Sequence, residues 1–224
     1  MTLRSSIFRG MQVMELESGS AVEATTIWAD KKVLLLLVRR FGCVFCQHQT
    51  SLVLREEEVL KRHNYHIVAV GNGTPDQARK FKDALTFTHP IYIDSDSQMF
   101  KALSMPRWSF WYILRTFFMS STNFSIGRGL MKDYPNANLE GDGYQSGGII
   151  ELEPGESAIN VVHREAEKIQ EGQFCEPTTL LEKLGIDVAR IFAKESREKK
   201  RLCFRCLSLQ SLLKDRDLPR CLTD

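Results

Sequence analysis

Two cysteines three positions apart, Cys43 and Cys46 in RRFGCVFC, follow directly on the apolar run VLLLLV. A cysteine reacts as the thiolate, so its chemistry depends on what stabilises negative charge on sulfur. If the pair opens a helix, Cys43 meets the free N–H groups and positive end of that helix, and both favour the anion. One helical turn then brings the second sulfur close enough to attack the first once it is oxidised, closing a Cys43–Cys46 disulfide. Two other readings stand beside the redox one. The pair can be half a zinc site, for which Cys203 and Cys206 offer a distant second CxxC, or two inert buried thiols.

The elements that must position these thiols are legible around them. Residues 32–38, KVLLLLV, read as a strand buried on both faces. After Gly42, Phe45, Leu52 and Val59 recur at heptad spacing with Val53 and Leu60 beside them, which predicts one amphipathic helix over about 43–63 with REEE (55–58) on its solvent side. HIVAVG (66–71) and PIYID (90–94) are further buried strands. Between them, Thr74 as N-cap and Pro75 at the first helical position start a helix, and SQMFKAL begins another. GGIIELE (147–153) and AINVVHRE (158–165) flank the turn PGES as an antiparallel hairpin, and PTTLLEKLG (177–185) is a helix closed by Gly185. Parallel strands, then a hairpin, then a last helix, with CxxC opening the first long helix, is the order of an α/β thioredoxin-like fold: a central mixed sheet flanked by helices, with an aromatic-rich insertion over 107–146 and a C-terminal helical tail. In that geometry the first cysteine is the more exposed, which makes Cys43 the nucleophile and Cys46 the resolver. Arg39 and Arg40 add positive charge, with strand alternation allowing one on each face.

The domain reading is an irregular segment over 1–26, the thioredoxin-like domain over 27–186 and a basic tail over 187–224. The net charge of +2 selects no partner, but the tail holds ten Lys/Arg against six Asp/Glu, leaving −2 for the rest. Six cysteines in 224 residues do not make a disulfide-rich secreted framework. No apolar block is long enough for a secretory signal or a membrane span. The expected compartment is the reducing cytoplasm. A plastid or other organelle is the alternative, because the N-terminus carries Arg and Ser and no acidic residue before Glu15.

RRFGCVFC, VAVGNGTPDQARKF, IYIDSD and GDGYQSGG, in this order over residues 27–186, resemble the peroxiredoxin-like proteins of the alkyl hydroperoxide reductase/thiol-specific antioxidant (AhpC/TSA) superfamily. The likeness is to the group containing prostamide/prostaglandin F synthase and the plastid thioredoxin-like antioxidant-domain proteins. It implies a thiol-dependent reductase of peroxides or endoperoxides in which Cys43 and Cys46 match the redox pair. It also implies recycling by thioredoxin or a similar dithiol, with no metal or organic cofactor. Where peroxiredoxins place a Pro-x-x-x-Thr/Ser-x-x-Cys loop, Cys43 is preceded by Arg40 and Leu36, and Cys46 by Cys43 and Arg39. Before the hairpin strand, thioredoxins carry a cis-proline and this chain carries Gly147 and Gly148, which would let backbone approach the sulfurs or a substrate.

Weaker features read as structure. GNGTPD is a turn and helix cap rather than a phosphate loop. WSFWYILRTFFM (108–119) is core, a dimer interface with a second copy, or an apolar wall near the thiols. Arg107, Arg115 and Arg128 are surface charges, with a cation for a peroxide oxygen or a carboxylate as the functional reading. His48 is expected at the surface, Cys175 idle in a loop, and no chemistry is assigned to Cys203, Cys206 or Cys221. The rival to an enzyme is a thioredoxin-like scaffold that binds a partner through its aromatic insertion and basic tail. No nucleic-acid partner is expected.

Overall fold

A computed structural model describes residues 3–111, 121–165 and 174–191, with backbone alone for 121–124. The chain divides into two units, 1–184 and 185–224. In the second, residues 185–191 are described, and the Asp187 carboxylate accepts the Arg190 amide at 3.0 Å to open a helical turn.

The first unit is built on β3 (Val33–Val38), whose six residues are all buried. β3 pairs in parallel with β4 (His66–Gly71) from Val33↔His66 to Val38↔Gly71, and β4 pairs in parallel with β5 (Ile91–Ile93). On its other side β3 is antiparallel to β6 (Gly148–Leu152), which forms the expected hairpin with β7 (Asn160–Arg164). The segment expected to be irregular, 1–26, adds two more strands. β1 (Gln12–Glu15) and β2 (Ala21–Glu23) make a hairpin, and β1 pairs antiparallel with β5, giving the order β2-β1-β5-β4-β3-β6-β7. Strands of four and three residues around a Gly19 turn at φ +67° leave too little periodicity to see in a sequence. This N-terminal layer is core: Phe8 and Trp28 are fully buried, edge to face at 5.5 Å, against Leu35, Leu37, Val68, Val70 and Ile150.

α1 (Val44–Leu54) crosses the sheet and touches α3 (Pro75–Leu85), α5 (Ser121–Asp133) and α6 (Pro177–Lys183). The helix expected over 43–63 is two: α1 ends at Leu54 and α2 (Glu57–Arg62) restarts after Arg55 and Glu56. The run read as a solvent face is a start signal. Glu57 and Glu58 lie in the first turn of α2 and Lys61 and Arg62 in its last, complementing its dipole at both ends, and Val59 and Leu60 are buried by it. α3 begins as predicted, with Thr74 Oγ1 accepting from the Gln77 amide and Gln77 Oε1 accepting from the Thr74 amide. α4 (Gln98–Ala102) is capped by Asp94, whose carboxylate accepts the Gln98 and Met99 amides at 2.9 Å. α5 lies inside the stretch read as irregular. Its interior glycines, Gly127 and Gly129, weaken helix propensity, and packing of Gly127 against Phe45 of α1 supports it instead. Residues 112–119 of the aromatic run, with Arg115, and tail cysteines Cys203, Cys206 and Cys221 lie outside the described residues.

Candidate active site

β3 delivers the chain to the sheet's end and Phe41 fixes where it turns. The Phe41 ring is 1% exposed, packs on Phe81 at 5.4 Å, and fills the space over Gly71, where a Cβ would come within 2.3 Å of it. The buried Gln47 amide donates to the Phe41 carbonyl at 3.1 Å, tying the turn to α1. Cys43 is thereby the N-cap of α1, in an extended conformation (φ −73°, ψ 122°), and Cys46 lies in the first turn. Both are free thiols, and neither is the exposed one: Cys43 is 2% exposed and Cys46 5%.

Arg39 supplies the charge. Its side chain is buried, Nη2 donates to Cys43 Sγ at 3.1 Å, Nη1 faces Glu165 Oε2 at 3.8 Å, and the guanidinium lies over the Trp108 ring, 4.7 Å from its centroid. Glu165 follows β7 and is fixed by Gly147, whose amide donates to its carboxylate at 2.7 Å and whose carbonyl accepts the Glu165 amide at 3.1 Å. Arg40 turns the other way, donating to the Leu139 carbonyl at 3.0 Å with Gly141 and Gly143 packed on its side chain. Asn138 closes over the same turn, its amide donating to the Gly42 carbonyl at 2.7 Å. Residues 138–143 thus form a strap across the cysteine turn.

These surroundings separate the two thiols. Cys43 is held well below the ordinary thiol value, first by its hydrogen bond with the Cys46 thiol. Burial opposes this, and the Arg39 and Arg40 charges and the Cys46 backbone N–H reinforce it. Cys46 is pushed well above the ordinary value by burial, then by the hydrogen bond and negative charge of Cys43. Burial works against the charge on Arg39, but Cys43 and Glu165 beside it keep it protonated. The arrangement can hold one thiolate and one thiol, one helical turn apart, beneath a fixed cation.

Several sequence expectations change here. Gly147 and Gly148 also serve strand packing: a Cβ at Gly147 would stand 2.4 Å from the Leu37 carbonyl oxygen, and one at Gly148 2.5 Å from that of His163. His48 is half-buried instead of exposed, edge-on to Phe174 at 4.7 Å with Nδ1 3.3 Å from the Tyr134 hydroxyl, because α5 and residue 174 cover that flank of α1. Cys175 is buried, and its backbone is bonded in both directions to the Gln49 side chain (2.7 and 3.2 Å). Arg107 is a surface charge as expected, paired with Asp142 at 2.8 Å. Trp108 opens the aromatic run, one reading of which is an apolar wall near the thiols, whereas the sequence reading gives Glu165 no role. The signal for Glu165 was the acidic residue closing the hairpin that begins at Gly147. Among the described residues, no three His, Cys, Asp or Glu side chains are grouped to hold a metal ion.

The chain's relatives agree with this fold. Residues 52–167 match the AhpC/TSA antioxidant enzyme family. The chain belongs to that family. The AhpC/TSA match begins at Leu52, beyond both cysteines, and covers β4, β5 and the hairpin that holds Glu165. Similar proteins include prostamide/prostaglandin F synthase of Danio rerio, 30% identical over 141 residues (62% of this chain, 68% of that protein). Another is the chloroplastic thioredoxin-like protein AAED1 of Arabidopsis thaliana, 24% identical over 165 residues. That alignment covers 70% of this chain and 64% of the Arabidopsis protein, just under two thirds of its length. Among solved structures, reduced Prx3 of Vibrio vulnificus in complex with hydrogen peroxide superposes with a TM-score of 0.50 at 16% identity, over 80% of this chain and 97% of that one. A cysteine-to-serine mutant of Xylella fastidiosa PrxQ gives 0.50 at 13% identity, over 83% and 93%. Both share the α/β thioredoxin-like fold of this AhpC/TSA chain.

Proposed function

We propose that the protein is a thiol-dependent oxidoreductase that reduces peroxides or endoperoxides through Cys43 and Cys46. The observation that supports this is the Arg39 guanidinium 3.1 Å from Cys43 Sγ at the start of α1. It takes the place of the Thr/Ser and Pro that orient peroxide in the family's loop. Cys43 thiolate attacks one oxygen of the O–O bond and the other oxygen leaves as alkoxide or hydroxide and is protonated; a hydroperoxide leaves Cys43 as a sulfenic acid, and an endoperoxide, whose attacked oxygen keeps its carbon, leaves it as a sulfenate ester. Cys46 displaces water from the first or the alcohol from the second to give the disulfide, and thioredoxin or a similar dithiol returns the pair to thiols. That cycle needs a reducing compartment, cytoplasmic or plastid. Among the described residues no helix is long and apolar enough to cross a membrane. With Cys43 2% exposed, a bulky endoperoxide requires the 138–143 strap to lift.

The test is intact mass and thiol counting on reduced protein given one equivalent of hydrogen peroxide. The wild type is expected to lose two hydrogens and both thiols, Cys46→Ser to trap sulfenic acid on Cys43, and Cys43→Ser to remain unchanged. Cys43 and Cys46 both still free, with all six thiols counted, after prolonged exposure to hydrogen peroxide, a lipid hydroperoxide and a small disulfide would sink the proposal. One observation favours the scaffold reading instead. Phe110 and Trp111 are 55% and 74% exposed, with rings 5.6 Å apart. Inert thiols, together with a partner lost on Trp111→Ser, would support it.

A further inference from the structure

Behind Cys46 lies a cavity of about 20 Å³, bordered by Cys46, Gln49, Gly148, His163 and Glu165. That is room for one water molecule. His163 Nε2 is buried there with no hydrogen-bond partner among the described residues, so the cavity contains an unused polar atom as well as a thiol and a carboxylate. Leu36, Leu37, Val38 and Ile149 line much of the rest, so the partners for a water there include Cys46, Gln49, His163 and Glu165.

Resting on the redox reading above, we propose that Glu165 is a positioning residue for the resolving step and receives the Cys46 proton through a water held in this cavity. Cys46 needs such an outlet. It attacks only as thiolate, and its buried surroundings favour the thiol. Once Cys43 is a sulfenic acid, the thiolate that opposed ionisation of Cys46 is gone. The Cys46 proton passes to the water while the water's proton passes to Glu165. Cys46 Sγ bonds to Cys43 Sγ, the Cys43 S–O bond breaks, and the departing hydroxide takes the proton back from Glu165 as water. The sum is one sulfenic acid and one thiol giving one disulfide and one water, with no outside oxidant in this step. The groups facing the cavity and Glu165 are Arg39 from the turn after β3, Cys43 and Cys46 from α1 and His163 from β7, with Lys183 of α6 acting on His163. Burial, then Lys183, holds His163 down to about 4, so above pH 5 its ring stays neutral. The two bonds between Glu165 and Gly147 keep the carboxylate aimed inward.

The experiment is stopped-flow oxidation of reduced full-length protein by hydrogen peroxide between pH 5 and 9. Sulfenic acid formation and disulfide closure are separated by quenching with a sulfenic-acid trap. Glu165→Gln keeps the shape and the bond from Gly147. It is expected to close the disulfide about 100-fold more slowly. Any slowing of sulfenic acid formation is read separately as loss of Arg39's partner, and Glu165→Asp should bring closure back to within a few-fold of the wild type. Closure by Glu165→Gln at the wild-type rate, slowed no more than sulfenic acid formation, or not recovered by Glu165→Asp, overturns the proposal and leaves the thiol oxidoreductase standing. A wild type that forms no disulfide at any pH overturns both. If Glu165→Gln fails to fold by circular dichroism, His163→Phe fills the water's place in the same assay, and unchanged closure in it overturns the proposal.

Discussion

The two ends of β3 each carry a buried or half-buried cation, and the two ends treat it differently. At the start of the strand Lys32 is fully provided for. It pairs with Glu151 at 2.9 Å and Glu153 at 2.6 Å and lies over the Tyr65 ring at 4.5 Å, while Glu151 accepts from Tyr65 Oη and Asn160 Nδ2, each at 2.6 Å. At the far end Arg39 is more deeply buried and less well served. Its Nε has no partner among the described residues, its carboxylate is 3.8 Å away, and its short contact is a sulfur. Gln47 Oε1 and His163 Nε2 likewise have no partner among the described residues. Buried polar groups are normally satisfied, so a cluster that is not marks a place kept ready for something else. The same β3–β6–β7 ladder therefore ends in a closed network that holds strands together and in an open one that holds a reactive group.

Arg39→Met should break this contrast most. Loss of one charge-assisted hydrogen bond to Cys43 corresponds to about 10- to 100-fold, measured as the rate of Cys43 alkylation by iodoacetamide at pH 6.5. The sign for stability follows. The folded-state value of Cys43 is depressed, so its contribution is complete above the unfolded thiol value and is lost as pH falls through the lower folded one. Arg39→Met weakens that dependence, leaving the part due to Cys46, and urea melts of the reduced protein at pH 5 and 9 would show it. An alkylation rate that does not change would place the thiolate's stabilisation in α1 alone. Gly147→Ala comes next. A Cβ 2.4 Å from the Leu37 carbonyl cannot be absorbed by a side-chain rotation, and β6 must move away from β3 at the end that holds Glu165. We expect a loss of about 1–3 kcal/mol in urea unfolding together with slower disulfide closure. A stable variant with normal closure would show that β6 can shift without moving Glu165.

What was legible in the sequence divides along the same line. VLLLLV, HIVAVG and the Thr74–Pro75 start were readable because buried parallel strands and capped helices are written in adjacent residues. So were the two cysteines and Arg39. The remainder of the site comes from pairings distant in sequence. Glu165 meets Arg39 because β7 follows β6 beside β3. The 138–143 strap reaches Arg40 and Gly42 through two backbone bonds that leave no pattern in residue types. β1 and β2 escaped notice because strands so short are stabilised by their neighbour β5 rather than by their own periodicity.

Lys32→Met sharpens the comparison from the other end. It takes the cation from Glu151, whose side chain is 12% exposed, and leaves that carboxylate with Tyr65 and Asn160. We expect about 1–2 kcal/mol of lost stability with Cys43 alkylation within experimental error of wild type. A change in thiol reactivity would mean that the two ends of β3 are coupled through the strand.

At pH 8 the smallest effect is expected at His163. Its ring is held down to about 4, first by burial and then by Lys183, whereas an unfolded histidine titrates near 6.5. Between those values the unfolded chain binds a proton that the folded chain refuses, so stability falls as pH drops, by at most about 1.4 kcal/mol per pH unit. The direction is opposite to that of a histidine stabilised by a carboxylate, which would gain stability on acidification. His163→Gln keeps a polar group at the cavity and removes the titration. Its urea stability should lose this part of the wild-type slope between pH 6.5 and 4 and match the wild type at pH 8. Wild-type stability that rises on acidification through this window would mean that the ring is protonated in the folded state, with Glu165 as the nearest carboxylate on that cavity to pair with it.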